Sequence, residues 1–178
     1  MKLWGAALAV GFALIGTQVF VGLMPQRLRG EEPKALASPG FDEQAKWLNS
    51  SPKTISDIRG HVALVVFWTL GCCYCTNTLP YVKSWHERYA EKGLNVIGVH
   101  SPEFAYYADE QLVRDLLNKE QLGFPVVLDH QLRTWERFRC RSWPSICLFD
   151  RGGRLRCRFD SPIDAAAVES EIQHLLSE

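Results

Sequence analysis

The chain has 178 residues, enough for one domain and a tail, and its 47% hydrophobic and 22% charged composition is that of an ordinary globular protein. Twenty basic residues balance twenty acidic ones, so no net field selects nucleic acid or an anionic surface. Six cysteines are too few for a disulfide scaffold at this length, so the core must hold without them.

Leu3–Met24 carries no charged residue and is long enough to cross a bilayer; Lys2 precedes it and Arg27 and Arg29 follow. It reads as an uncleaved transmembrane signal anchor, with a cleaved signal peptide ending at Ala35–Leu36–Ala37 as the alternative. The run exceeds a signal h-region of about 7–15 residues, and Ala37 lies far beyond its end, which favours the anchor. The arginines on its C-terminal side run against export by the positive-inside rule. Residues 25–40, with Pro33, Pro39, Gly30 and Gly40, form a linker, and 41–178 form the folded domain. Phe41–Leu48 reads as a short helix or lead-in segment. Asn49–Ser50–Ser51 fits a glycosylation sequon of little weight. His61 stands at a turn into the first core strand.

That strand is the apolar run Val62–Trp68. Cys72 and Cys75 follow it, and a helical pattern runs from Thr76 to about Glu91. A Cys-x-x-Cys pair therefore sits where a buried strand turns into a helix. The unpaired N–H groups of a helix start favour an anion such as a thiolate, and a thiol placed there is acidified and reactive. Its partner three residues on can close a disulfide. Leu79, Val82, Trp85 and Tyr89 form the core stripe of this helix, and Pro80 lies within it.

Leu94–Val99 is the next buried strand. An extra helix, Asp109 to about Glu120, points Leu112, Val113, Leu116 and Leu117 inward. Phe124–Leu128 is a third strand and Gln131–Phe138 a short helix. Ser145–Asp150 and Arg154–Phe159 flank Arg151–Gly152–Gly153 as a hairpin, with Leu155, Cys157 and Phe159 toward the core and Arg154, Arg156 and Arg158 toward water. Ile163–Leu176 is a closing amphipathic helix.

Trp68-x-x-x-Cys72-x-x-Cys75 with Pro80 following resembles the active-site stretch of the thioredoxin superfamily. Trp47–Leu48–Asn49, Ile58–Arg59–Gly60, Thr78–Leu79–Pro80–Tyr81, Trp85–His86, Gly93–Leu94, Val96–Ile97–Gly98–Val99–His100–Ser101–Pro102–Glu103–Phe104, Phe124–Pro125–Val126, Thr134–Trp135, Trp143–Pro144–Ser145 and Leu148–Phe149–Asp150–Arg151–Gly152–Gly153–Arg154 are similar to the membrane-anchored TlpA/ResA group, most of all to the thioredoxin-like domain of DipZ-type proteins. The resemblance covers roughly residues 41–177.

It implies an α/β, thioredoxin-like fold: a central mixed sheet flanked by helices, with a helical insertion between the second and third core strands. Pro144 is implied to be a cis proline beside the dithiol, freeing the main chain of Trp143 to pair with an extended substrate. Trp68, Cys73 and Tyr74 complete the expected substrate-contacting set, with Cys72, Cys75 and Pro144 as catalytic residues. In the expected reaction Cys72 attacks a substrate disulfide and Cys75 resolves the mixed disulfide. Neither cofactor nor metal is implied. The expected partners are a disulfide-bearing protein and a membrane-bound electron donor, not nucleic acid. The domain is placed outside the cytoplasm, on the periplasmic face of an inner membrane.

The chain departs from its family at Val66, where many thioredoxins have a buried Asp, and at Thr78, where ResA-like proteins place a Glu. Both usual proton acceptors for the resolving thiol are thus missing. Cys73 adds a thiol within the motif, either a passive residue or part of a soft-metal site. Cys147 and Cys157 fall on the two arms of the hairpin, as a cross-strand pair or as buried thiols, and Cys140 is the one candidate for a third redox partner. His86, His100 and His130 have no metal-ligand spacing to the cysteines. The late arginines, Arg133 to Arg158, read as a solvated face.

The leading expectation is a membrane-tethered thiol–disulfide oxidoreductase that reduces exported proteins, such as cytochromes or metalloproteins during maturation. The alternatives are a copper-binding assembly chaperone using Cys72, Cys73 and Cys75, and a thiol peroxidase. The peroxidase pattern begins with a proline seven residues before its cysteine, where this chain has Val65.

Overall fold

The computed structural model describes residues 39–178. The segments read as an anchor and most of the linker lie outside the described residues. Among those described, no helix is long and apolar enough to cross a membrane.

Ten elements follow in order: β1 (Lys46–Leu48), β2 (Val62–Trp68), α1 (Cys73–Tyr89), β3 (Leu94–His100), α2 (Glu110–Glu120), β4 (Val126–Leu128), α3 (Arg133–Arg137), β5 (Ser145–Phe149), β6 (Leu155–Asp160) and α4 (Ala165–Ser177). The strands form one mixed sheet in the order β1-β4-β3-β2-β5-β6. β2 and β3 are parallel, as are β3 and β4, while β1, β5 and β6 join antiparallel. This is the thioredoxin-like arrangement, and α2 is the helical insertion between the second and third core strands.

β2 is buried along its whole length because both faces of the sheet are covered. Leu64, Val66 and Trp68 face α1, α2 and α4 in one core, with Leu79, Val82, Trp85, Val113, Leu117 and Ile172. Ala63, Val65 and Phe67 face the second core, with Phe41, Trp47, Phe138, Cys140 and Cys147. The period-two side-chain alternation of a strand thus sorts one apolar run into two cores. Glu169 clamps α4 to α1, accepting from Arg88 Nη1 at 2.6 Å, Tyr89 Oη at 2.7 Å and Trp85 Nε1 at 3.2 Å.

Two expectations are corrected, for Leu112 and Arg158, and two alternatives left open by the sequence are decided, for Phe41–Leu48 and for the Cys147–Cys157 pair. Phe41–Leu48 is not helical: residues 46–48 pair with Leu128–Val126 as an edge strand, which Asn49 ends at φ 61°. Three residues are too short to carry a pattern, and the open main chain of β4 captures them. The Asn49 amide donates to the Leu122 and Phe124 carbonyls, so a glycan there would remove one of its two N–H donors. Leu112 faces solvent, because α2 buries only the single row Val113 and Leu117. Arg158 does not face open water: its guanidinium donates to the Phe138 and Arg139 carbonyls, tying β6 to the end of α3. Finally, Cys147 pairs in register with Arg158 and Cys157 with Leu148, which puts the two cysteines on opposite faces of the sheet and excludes a cross-strand disulfide. Arg154 and Arg156 are paired too, with Asp150 and Glu178.

Candidate active site

β2 ends at Trp68, and Thr69, Leu70 and Gly71 turn the chain into α1. Gly71 sits at φ 73°, a conformation that a residue without a Cβ adopts at no steric cost. Cys72 then caps the helix. Its Sγ accepts from the Cys75 N–H at 3.1 Å, and its carbonyl accepts from Thr76 N at 3.0 Å. A sulfur is thus held where α1 leaves donors unpaired, the place where negative charge on that sulfur is best stabilised.

Cys72 and Cys75 form a disulfide, their Cα atoms 5.2 Å apart. Cys72 is half-buried and Cys75 buried, so only the first sulfur meets an incoming molecule. Cys73 and Tyr74 stand exposed between them. The Trp143–Pro144 bond is cis, and the Trp143 carbonyl lies 3.8 Å from Cys72 Sγ. The Trp143 ring stacks on Trp135 with centroids 4.2 Å apart. The start of α1 and the α3–β5 connection therefore meet at Cys72.

Trp68, expected on the substrate surface, is fully buried beneath the motif. Its ring meets His100 edge-on at 4.8 Å, across the β2–β3 register that pairs the two residues. It supports the dithiol loop from below rather than touching what binds above.

Neither missing carboxylate is replaced in place. Val66 is core, and the Thr78 hydroxyl donates to the Tyr74 carbonyl at 2.8 Å. A titratable group, His100, pairs in register with Trp68 at the end of the dithiol strand. It is fully buried, its two ring nitrogens have no hydrogen-bond partner among the described residues, and burial pushes its pKa down to about 3, with His130 adding a smaller effect. Its sequence position, directly after the buried run Leu94–Val99, was the only signal for this placement.

Cys140 and Cys147 lie in the second core. Burial raises both thiols, Cys147 to about 11 and Cys140 further still, each beside Arg158 and Asp160. Cys157 packs against the first core. Among the described residues no group of three or more His, Cys, Asp or Glu is placed to hold a metal ion. Of the peroxidase pattern, Thr69 does stand three residues before Cys72, but it is buried and its hydroxyl accepts from the Glu103 N–H at 3.2 Å; Val65 is core.

Sequence reasoning missed an aromatic cluster beside the motif. Tyr107 lies against Gly71 so closely that a β-carbon there would overlap its phenol, and Tyr106 and Phe104 stack alongside. The run Phe104–Ala105–Tyr106–Tyr107 was its signal.

Residues 38–158 match the AhpC/TSA family. The chain is 33% identical over 135 residues to protein DipZ of Mycobacterium tuberculosis, covering 74% of this chain and 19% of DipZ. It thus spans about a fifth of the length of that relative. It is 23% identical over 140 residues to the thiol–disulfide oxidoreductase YkuV of Bacillus subtilis, covering 79% of this chain and 94% of YkuV. Among solved structures, a thiol–disulfide isomerase from Corynebacterium glutamicum aligns with TM-score 0.70 and 26% identity over 80% of this chain and 98% of its own. The thioredoxin-like superfamily protein SPOA0173 aligns with TM-score 0.72 and 25% identity over 79% and 96%. YkuV is a thiol–disulfide oxidoreductase, and the two structural neighbours are a thiol–disulfide isomerase and a thioredoxin-like superfamily protein. On the match over residues 38–158 and on its fold, the chain belongs to the AhpC/TSA family of thioredoxin-like proteins.

Proposed function

We propose that the protein is a thiol–disulfide oxidoreductase in which Cys72 and Cys75 are the redox pair. The observation that carries this reading is the meeting of Cys72 Sγ, at the start of α1, with the Trp143 carbonyl at the cis peptide bond. In the reducing direction the Cys72 thiolate attacks one sulfur of a substrate disulfide. That bond breaks, a substrate thiolate leaves, and a mixed disulfide forms. Cys75, deprotonated to water or a nearby base, then attacks Cys72 Sγ, the second substrate thiolate leaves, and the Cys72–Cys75 disulfide forms. Two electrons pass from the dithiol to the substrate. The substrate main chain lies beside Trp143 and Pro144, and Cys73 and Tyr74 form the floor of the approach.

The reading extends to a reductant of exported proteins, including cytochromes or metalloproteins in maturation. The protein is tethered by Leu3–Met24, with the domain at residues 41–178 facing the periplasm and recharged by a membrane-bound donor. What supports this extension is the apolar N-terminal run and the similarity to DipZ.

The test is the reduction potential of the Cys72–Cys75 pair, measured by thiol trapping in dithiothreitol or glutathione buffers with Cys73→Ser as control. A value at or below about −270 mV makes the pair a reductant, and one near −120 mV an oxidant. If no reversible disulfide forms, the reading fails.

A further inference from the structure

The connection between β3 and α2 carries three aromatic rings that dithiol exchange does not require. A 3-10 turn, Ala105–Ala108, sets the Tyr106 and Tyr107 ring centres 4.2 Å apart, and Phe104 stacks on Tyr106 at 5.7 Å and 8°. The connection is tied to the dithiol loop by the Ser101 N–H on the Trp68 carbonyl, 3.0 Å, and the Glu103 N–H on Thr69 Oγ1, 3.2 Å. Tyr107 rests on Gly71, the residue before Cys72. The ladder therefore starts at the nucleophile's own loop.

These rings are not core. Phe104 is 50% and Tyr106 63% exposed. Large rings left half open in contact with one another form an apolar patch, and such patches on a folded surface mark interaction sites, where aromatic residues dominate. Through Tyr107 the patch reaches Gly71, the residue before Cys72, whose sulfur a substrate must meet. Glu103 places negative charge beside Tyr106, which disfavours an anionic occupant, whether glutathione or an acidic lipid headgroup. A small polar disulfide would also leave the rings uncovered.

Resting on the dithiol reading above, we propose that Phe104, Tyr106 and Tyr107 select the substrate. They dock an aromatic or bulky apolar side chain of an extended polypeptide that presents its disulfide to Cys72. Tyr107 fixes the ladder against Gly71, and Phe104 and Tyr106 supply the open ring faces. The protein thereby favours cysteines with apolar neighbours, as in chains not yet folded.

The test uses the reduced full-length chain and two short peptides that differ only beside their single cysteine, one with Phe and one with Ser. Each peptide is supplied as its mixed disulfide with thionitrobenzoate. Cys72 attacks the peptide sulfur, the peptide–thionitrobenzoate bond breaks, and coloured thionitrobenzoate leaves; Cys75 then displaces the peptide thiol as the Cys72–Cys75 disulfide closes. Bis(hydroxyethyl) disulfide, which has no side chain to dock, reports the dithiol alone.

The Phe peptide is expected to react roughly five- to tenfold faster, the worth of one aromatic contact. The ratio is expected to fall toward one in Phe104→Ala/Tyr106→Ala, with the hydroxyethyl disulfide rate unchanged. Equal rates for the two peptides, or a ratio that survives both substitutions, overturns the proposal while the dithiol reading stands. A loss that is equal for both peptides, and that occurs only when the chain is held in phosphatidylcholine vesicles, assigns the patch to the membrane surface and also overturns it. Failure of every disulfide to react, in every variant, refutes the dithiol reading itself.

Discussion

Two pairs of cysteines flank the same central strand. Cys72 and Cys75 lie past the end of β2, where α1 begins and its first N–H groups are unpaired. Cys147 sits opposite Val65, in the middle of β2, and Cys140 packs with it in the second core. The residue type is the same, and the surroundings set its chemistry. The first pair has a helix N-terminus, a half-open sulfur and a partner one turn away. The second pair is closed in by Phe67, Phe138 and Phe149, and burial raises both thiols well above their ordinary range. On the proposed reading, location in the fold, more than the count of cysteines, decides which thiols are used.

The largest effect tests that contrast directly. Cys72→Ser is expected to abolish disulfide reduction, and Cys75→Ser to stop the reaction at the mixed disulfide, visible as a covalent substrate adduct on a non-reducing gel. Cys140→Ala/Cys147→Ala is expected to leave the rate of substrate reduction unchanged. A large loss of rate in that double variant would break the comparison, because it would make the second pair part of the reaction.

The contrast was only half legible in the sequence. The dithiol could be read because a continuous apolar run, a Cys-x-x-Cys spacing and an amphipathic stripe each have their own period, and all three agree at Cys72. β2, α1, β3, α2 and the β5–β6 hairpin were legible for the same reason. β1 was not, since three residues held by the edge of β4 have no periodicity of their own. Arg158 was misplaced because alternation gives the face of a strand but not what covers that face, and here the end of α3 does. The pairing of Cys147 with Arg158 depends on a register that the turn sets. The ladder on Gly71 depends on a connection folding back over a loop about 35 residues earlier, and no local pattern records that.

Acid sharpens the comparison on the dithiol side of the sheet. His100 titrates near 3 in the fold and near 6.5 when unfolded. Between these values the unfolded chain binds the proton and the folded chain does not, so stability rises with pH across this window. It is fully present above pH 6.5 and is lost progressively as the pH falls toward 3. At about 1.4 kcal/mol per pH unit, roughly 2–3 kcal/mol is expected to be gone by pH 4.5. Urea unfolding of the chain and of His100→Phe at pH 7.5, 6 and 4.5 measures it. The substituted chain is expected to lose less stability on acidification, and parallel pH slopes would refute the assignment.

The second core answers to polarity more than to pH. Cys147 is fully buried between strands, so Cys147→Ser places a hydroxyl where a weakly polar thiol stood. The expected cost is about 1–3 kcal/mol, while Cys147→Ala loses packing alone. Thermal unfolding of both variants checks the order, and a serine variant as stable as the parent would mean that the hydroxyl finds a partner in this core.

The smallest effect lies at the clamp between α1 and α4, which holds the dithiol helix from its far end. Hydrogen bonds from Arg88 first, then Tyr89 and Trp85, pull the Glu169 carboxyl down to about 2 against a small opposing effect of burial. A depressed carboxylate stabilises the fold above its unfolded value near 4.5 and loses that contribution as the pH falls toward 2. The Arg88 and Glu169 side chains are 48% and 27% exposed, so solvent screens the pair and the pKa shift overstates its worth. Glu169→Gln keeps the shape and removes the charge, and is expected to cost about 1 kcal/mol at pH 7. The same substitution at pH 3 is expected to cost less, since the carboxylate is then mostly protonated in the unfolded chain and the advantage of the charged form has shrunk. Because the clamp sits a full helix away from Cys72, it is expected to move the unfolding midpoint without moving the Cys72–Cys75 reduction potential. A shift in that potential would mean that α1 transmits the loss of its C-terminal anchor to the sulfur at its start.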